Sequence, residues 1–390
     1  MERTDNMLQR VKIFTVTAWL LVFLPNIMRA GGEDYPQVPL LQEGDMIQVP
    51  VQAFGRTLYF IVDTGFAVSA IDAQYEPYLG EQIDTYTAVS PLGTKKDVAI
   101  FQCPEISLAG QPLALNEIVG LDLQMMSRIT GRPCDGVLGM DWFEKNIVSI
   151  DFDRKTFTLD PEIPATVSNT SVPVALEESN RYYFMKVVVN RDKNLNLMID
   201  TGDSSSMSLN QNAWQEVFST NEMKTAAATV ADAVNQVAQT RIGVLGEVAV
   251  QSLEYTNLHA TLIQNTDQPS RLGFRFFQRH NVTFDFGGRM LYLQPDQKYS
   301  APDVEDMSGL HLLRSGGVTT VYSVDEDSPA ANQGIVANDI IERINDLPSS
   351  SLSIQAIREM LRSADGARVG LQLRRGDRLT EVSLVLKQII

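Results

Sequence analysis

An internal duplication constrains this chain more than any other property of its sequence. Val62-Asp63-Thr64-Gly65 follows the apolar stretch Leu58-Tyr59-Phe60-Ile61, and Ile199-Asp200-Thr201-Gly202 follows Leu195-Asn196-Leu197-Met198, 137 residues further on. At the same offset Met46 to Val51 falls on Tyr183 to Val188. A second pair of blocks, Leu138-Gly139-Met140-Asp141-Trp142-Phe143 and Leu272-Gly273-Phe274-Arg275-Phe276-Phe277, matches at an offset of 134 residues. That match runs on without a gap through Val148 to Phe152 against Val282 to Phe286, and to Asp160-Pro161 against Gln294-Pro295. Each copy reads as a β-hairpin feeding an Asp-Thr-Gly triplet, followed later by two strands with turns at Asp153-Arg154 and Gly287-Gly288. A repeat of this size is a structural unit used twice. The expected architecture is therefore mainly β and two-lobed, with lobes over 36–165 and 175–298.

A hydrophobic-hydrophobic-Asp-Thr-Gly run with a downstream hydrophobic-Gly pair, present twice in the same order, resembles the pepsin-like and retropepsin-like aspartic peptidases. The resemblance covers about Gln42 to Pro295 and implies a retropepsin-type dimer fused into one chain, each half a closed acid-protease β-barrel lobe. Hydrolysis of a peptide bond without a metal or a covalent intermediate needs a base to activate water and an acid to protonate the product. Two adjacent carboxylates supply both, because like charges at that distance cannot both ionise and the pair shares one proton. Asp63 and Asp200 are the catalytic candidates, one from each copy. By resemblance, Thr64 and Thr201 cross-link the two loops, Gly65 and Gly202 let backbone N–H groups approach the carboxylates, and Leu138-Gly139 and Leu272-Gly273 brace the loops from below. The residue after each triplet departs from the family's usual Ser, Thr or Ala: it is Phe66 in one copy and Asp203 in the other. Phe66 is expected to shape a subsite, whereas a carboxylate at Asp203 raises the dyad's pKa values if it faces them. Arg271 stands where the first copy has Val137, a further departure.

Such enzymes cover their substrate with a mobile hairpin. In the first copy Thr85 to Asp97 is the candidate, with Pro91, Leu92 and Gly93 at its tip. The equivalent Ala226 to Gln239 is rich in alanine and reads as helical, so one flap is expected, from the first copy.

After Pro295 the composition changes. Asp296 to Met307 is polar and reads as a linker; beyond it, Ser328-Pro329-Ala330-Ala331 and Gly334 to Ile341 lie ahead of a helix-patterned stretch, Ile354 to Ser363, and two more strands. This order resembles a bacterial PDZ domain over 307–390, small and α+β, with Asn338 where relatives usually carry Gly. A PDZ domain takes a peptide C-terminus onto a sheet edge, its backbone N–H groups holding the carboxylate. Gly309, Leu310, His311 and Leu312 are the candidate binding residues; the alternative is a groove filled by its own chain.

The first 30 residues have the plan of a signal peptide: Arg10 and Lys12, then an apolar run from Ile13 to Met28, then Ala30-Gly31-Gly32. Export to a periplasmic or extracellular location follows, with an uncleaved, membrane-associated N-terminus as the alternative. An oxidising compartment would permit Cys103 and Cys134 to pair, but sequence leaves open whether they do or remain separate buried thiols. The three histidines, His259, His280 and His311, lack ligand spacing, and no metal or other cofactor is implied. A net charge of −16 argues against nucleic acid as a partner, since affinity for it comes from Lys and Arg neutralising phosphates. The expected partners are a peptide or protein substrate and a C-terminal peptide. The rival function is a catalytically silent peptide-binding protein.

Overall fold

The computed structural model describes residues 36–42, 45–90, 93–219, 224–231, 237–264 and 267–390. The signal-peptide reading and two flap-tip residues, Pro91 and Leu92, lie outside them.

Each lobe is built on the hairpin the duplication predicts. Ile47–Ala53 pairs antiparallel with Arg56–Val62, and Tyr182–Val189 with Lys193–Ile199. The connecting pairs Phe54-Gly55 and Asn190-Arg191 all have positive φ (52°, 70°, 50° and 69°), the geometry whose twist matches a tight hairpin. A strand carrying the Leu-Gly block then lies parallel to the second hairpin strand. Gly136–Leu138 pairs with Arg56–Val62, setting Leu138 against Val62, and Arg271–Leu272 pairs with Lys193–Ile199, setting Leu272 against Ile199. In both lobes the leucine carbonyl accepts the N–H of the triplet aspartate at 3.0 Å.

The lobes meet in a six-stranded sheet. At its centre Ile147–Asp151 of lobe 1 runs antiparallel to His280–Asp285 of lobe 2, with Ser149 opposite Thr283 and their hydroxyls 2.7 Å apart. These are equivalent positions of the repeat, so the pseudo-two-fold axis passes between them. Trp142, Phe143 and Phe157 from one copy and Phe274, Phe276, Phe277, Phe284 and Phe286 from the other are fully buried around this seam. Burying an aromatic side chain of this kind stabilises by about 1.5–3 kcal/mol, so one joint core holds both lobes.

One expectation needs correction, and one question the sequence leaves open is answered. The Ala-rich stretch of the second copy is not helical: Thr225–Ala231 pairs antiparallel with Val237–Val250, matching the hairpin Gln82–Val89 and Lys95–Gln102 of the first. Alanine favours a helix, but a run this short cannot nucleate one alone, and the long strand beside it offers a ladder of hydrogen bonds. Both lobes therefore carry a flap-like hairpin. Second, Cys103 and Cys134 are free. Cys134 is buried in a small cluster with Ile61, Ala70, Val98 and Val137, whereas Cys103 packs against the large shared core. Burial pushes the Cys103 thiol up to about 12 and the Cys134 thiol higher.

The C-terminal unit has its own core, with Leu310, Leu312, Val321, Ile341, Ile357, Leu371 and Leu384 in it. Its sheet runs Leu310–Ser315, Val318–Val324, Ile340–Ile344, Arg368–Arg375, Arg378–Val385, with Leu310–Ser315 at one edge and the helix Ile354–Leu361 packed near it. The segment ahead of it is not a loose linker, although it forms no helix or strand. Glu305 accepts from Arg275 and bonds His259, both at 2.8 Å, and Asp303 pairs with Arg279 at 2.7 Å. Asp45 of lobe 1 joins Arg275 of lobe 2 at 2.9 Å and Arg362 of the C-terminal unit at 3.3 Å. Among the described residues no helix is long and apolar enough to cross a membrane.

Candidate active site

Asp63 and Asp200 stand at the ends of equivalent strands and face each other across the axis. The loops that carry them interlock through the two threonines. Thr64 N–H donates to Thr201 Oγ1 at 3.1 Å, and Thr201 N–H donates to Thr64 Oγ1 at 3.0 Å. Each hydroxyl donates onward into the other lobe, Thr64 to the Ile199 carbonyl (3.0 Å) and Thr201 to the Val62 carbonyl (2.8 Å). Gly65 N–H and Gly202 N–H each donate to the carboxylate of their own triplet, at 2.9 and 3.0 Å. Their missing side chains matter more: a Cβ on Gly65 would overlap the Asp200 carboxylate, and one on Gly202 the Asp63 carboxylate. The glycines thus make room for the opposite aspartate. Leu138 and Leu272 are fully buried beneath, and Gly139 and Gly273 cap one-turn helices so tightly that a Cβ would strike the Phe66 and Ser205 carbonyls. All ten residues expected at the dyad are brought together.

The two carboxyl groups face each other, each lying against the glycine of the opposite triplet. Burial first, then repulsion by Asp200, holds the Asp63 carboxyl well above the ordinary carboxylate range. Asp200 is also raised, chiefly by burial; the Arg271 guanidinium is the main counterweight, and Asp203 adds repulsion. Asp203 turns its carboxylate to the N–H and hydroxyl of Ser205, at 2.9 and 2.7 Å, so that this carboxylate acts on Asp200 only through space, while its N–H donates to Asp200 Oδ1 at 3.1 Å. Phe66 lines a cavity of about 70 Å³ with Gly65, Val68, Tyr86, Leu121 and Tyr182, beside the dyad. Tyr86 brings the first hairpin to its wall. A larger depression, about 310 Å³, lies among Asn194, Asn196, Asn210 and Glu216 of lobe 2 and includes neither triplet.

Three contributors escaped sequence reasoning. Ser69 takes Gly139 N–H on its hydroxyl at 3.0 Å and donates to Asp141 at 2.7 Å, bracing the first loop. The signal was available, since Asp141 stands opposite Arg275 in otherwise matching blocks. Tyr182 carries no such signal; it precedes the repeat's hairpin core and reaches the cavity only through the fold. Among the described residues no group of His, Cys, Asp and Glu gathers to hold a metal ion. His280 instead bonds Tyr255 at 2.8 Å in an aromatic cluster, and burial lowers its pKa to about 3.

In the C-terminal unit the proposed binding residues are already engaged. Ser308 N–H and Gly309 N–H donate to Asp306 Oδ1, both at 2.8 Å, and Leu310 N–H donates to Ser308 Oγ at 3.1 Å. Leu310 and Leu312 face the core, the Leu312 carbonyl accepts from Arg358 at 3.0 Å, and His311 pairs with Asp325 at 2.9 Å. The helix Gln124–Thr130 of lobe 1 packs on the strand Leu310–Ser315, and Gly131 lies against Ile354 and Arg314.

Comparison with known proteins agrees with the C-terminal assignment: residues 320–375 match the PDZ domain family. No curated protein matches the chain. Among solved structures, a retropepsin-like aspartic protease from Rickettsia conorii is similar at 19% identity and a TM-score of 0.25, covering 32% of this chain and 89% of its own. Basic 7S globulin from soybean is similar at 10% identity and a TM-score of 0.40, covering 66% of this chain and 94% of its own.

Proposed function

We propose that this chain is an exported aspartic endopeptidase in which Asp63 and Asp200 activate water, with the PDZ domain recruiting substrates or partners. The observation that carries the reading is the pair of buried carboxyls facing each other on loops interlocked by Thr64 and Thr201, each against the glycine of the opposite triplet. A pair sharing one proton contains both an acid and a base. Water held between them loses a proton to the ionised carboxylate as its oxygen attacks the peptide carbonyl, and the other carboxyl protonates the carbonyl oxygen. Collapse of the resulting diol breaks the C–N bond, and the nitrogen leaves with the proton first taken from water. The raised pKa values favour a working range above that of an exposed pair of carboxylates.

Peptide-library cleavage by the mature protein across pH tests this, beside Asp63→Asn and Asp200→Asn. Cleavage by the parent and its loss in both variants is the expected result; activity surviving either substitution refutes the dyad. One observation favours a second reading, a silent peptide-binding protein: Arg271 lies 3.6 Å from Asp200, where the first copy has an apolar residue. That reading predicts peptides bound and recovered intact. Export rests on the signal-like N-terminus, and peptide recruitment on the match to the PDZ domain family.

A further inference from the structure

The duplication makes the two aspartates equivalent, yet their surroundings are not. Asp200 Oδ1 accepts two N–H groups, from Gly202 at 3.0 Å and Asp203 at 3.1 Å, and Oδ2 lies 3.6 Å from Arg271 Nε. Asp63 Oδ1 accepts Gly65 N–H; the N–H of Phe66, equivalent to that of Asp203, donates only to the Asp63 main-chain carbonyl. In place of Arg271 the first lobe has Val137, buried and uncharged. Arg271 is held in position by its strand, pairing with Met198 and Ser208, and by Gln268, which accepts from Nη2 at 2.8 Å. Its side chain is 10% exposed, and Nε is buried with no hydrogen-bond acceptor among the described residues. A buried guanidinium with an unspent donor beside one member of a carboxylate pair cannot treat the two alike.

We infer that Arg271 breaks the symmetry of the dyad, keeping the negative charge on Asp200 and the shared proton on Asp63. The inference rests on the peptidase reading for its chemistry but not for its charge assignment. Asp200 is then the base: it takes one proton from water as the water oxygen bonds to the carbonyl carbon. Asp63 is the acid, giving its proton to the carbonyl oxygen as the π electrons move there. When the C–N bond breaks, the nitrogen takes the proton from Asp200 and Asp63 recovers one from a diol hydroxyl, restoring the starting state. Arg271 touches no reacting atom in this scheme and is a positioning residue. The other titratable groups around the pair are Asp203, which repels Asp200, Tyr182 with Tyr86 behind it, and the buried Cys134 thiol. None of them supplies a positive charge.

The test combines a pH profile with thermal melting. An opposite charge within about 4–6 Å lowers a carboxyl pKa by about 1–3 units, so Arg271→Val should still cleave but with the acid limb of its kcat/KM profile moved up by about one unit or more. Arg271→Lys should return most of that shift. At neutral pH Asp63→Asn, the uncharged isostere of a protonated Asp63, should melt at or above the parent temperature. Asp200→Asn strands a buried cation and should melt lower, with the loss recovered in Asp200→Asn/Arg271→Val. A profile unmoved in Arg271→Val, or an Asp200→Asn protein as stable as Asp63→Asn, overturns the inference. A parent protein that cleaves nothing while the two asparagine variants still split in stability overturns the peptidase reading and supports the charge assignment.

Discussion

The hydroxyls of Thr64 and Thr201 each accept from the opposite lobe and donate back to it, so neither hydroxyl can be lost alone. Thr64→Val would orphan the buried N–H of Thr201 and the carbonyl of Ile199, and a buried polar group left without a partner costs about 1–3 kcal/mol. Thr64→Ser keeps both bonds and should stay close to the parent. Urea midpoints of the two variants check this. The dyad makes a pH-dependent contribution of a definite sign. A carboxyl raised on folding favours the native state while protonated and opposes it once ionised, so stability present at low pH is lost as pH rises through the raised value of Asp63. Melting temperatures should therefore fall on the neutral side of that titration in the parent and fall less in Asp63→Asn.

Among the elements, the hairpins and the Leu-Gly strands were legible because contiguous patterns carry them: apolar alternation, a tight turn, a triplet. The same is true of the strands around Ser149 and Thr283, whose aligned blocks predicted equivalent strands though not that they would pair with each other. What stayed hidden depends on partners distant in sequence. The Ala-rich Thr225–Ala231 became a strand because Val237–Val250 lies beside it, and no local preference could announce that. Arg271 is visible in sequence as a charge opposite Val137, but its approach to Asp200 follows from strand register. The cysteines fell into different clusters for the same reason. The aromatic seam offers a direct test: Phe143 meets both Phe284 and Phe286 edge-on across the lobe boundary. Phe143→Ala should cost about 3–5 kcal/mol, with both lobes lost in a single calorimetric transition rather than one after the other.

At the scale of the whole molecule, the C-terminal unit is held by buried charge rather than by a flexible tether. Burial alone would push Asp45 and Glu305 up, but Arg275 leads the neighbours that outweigh it and hold both carboxyls down to about 2. The sign is opposite to that of the dyad: this stabilisation is complete above the ordinary carboxylate range, about 4, and is lost as pH falls through about 2. Small-angle scattering should show the C-terminal unit separating from the lobes as the solution is acidified through that window. Arg275→Ala takes from both carboxylates their leading cation and leaves only Arg362 acting on the two; breaking a buried pair costs about 3–5 kcal/mol, and the separation should then occur at neutral pH.

The interlocked threonines and the Ser149–Thr283 seam pin the lobes at two levels along a single axis. Pulling the halves apart would break buried bonds at both levels at once. On the peptidase reading, a substrate would have to reach the dyad past the first hairpin, whose Tyr86 walls the cavity beside Gly65, and the clearance there would bound how bulky a chain the carboxylates can meet.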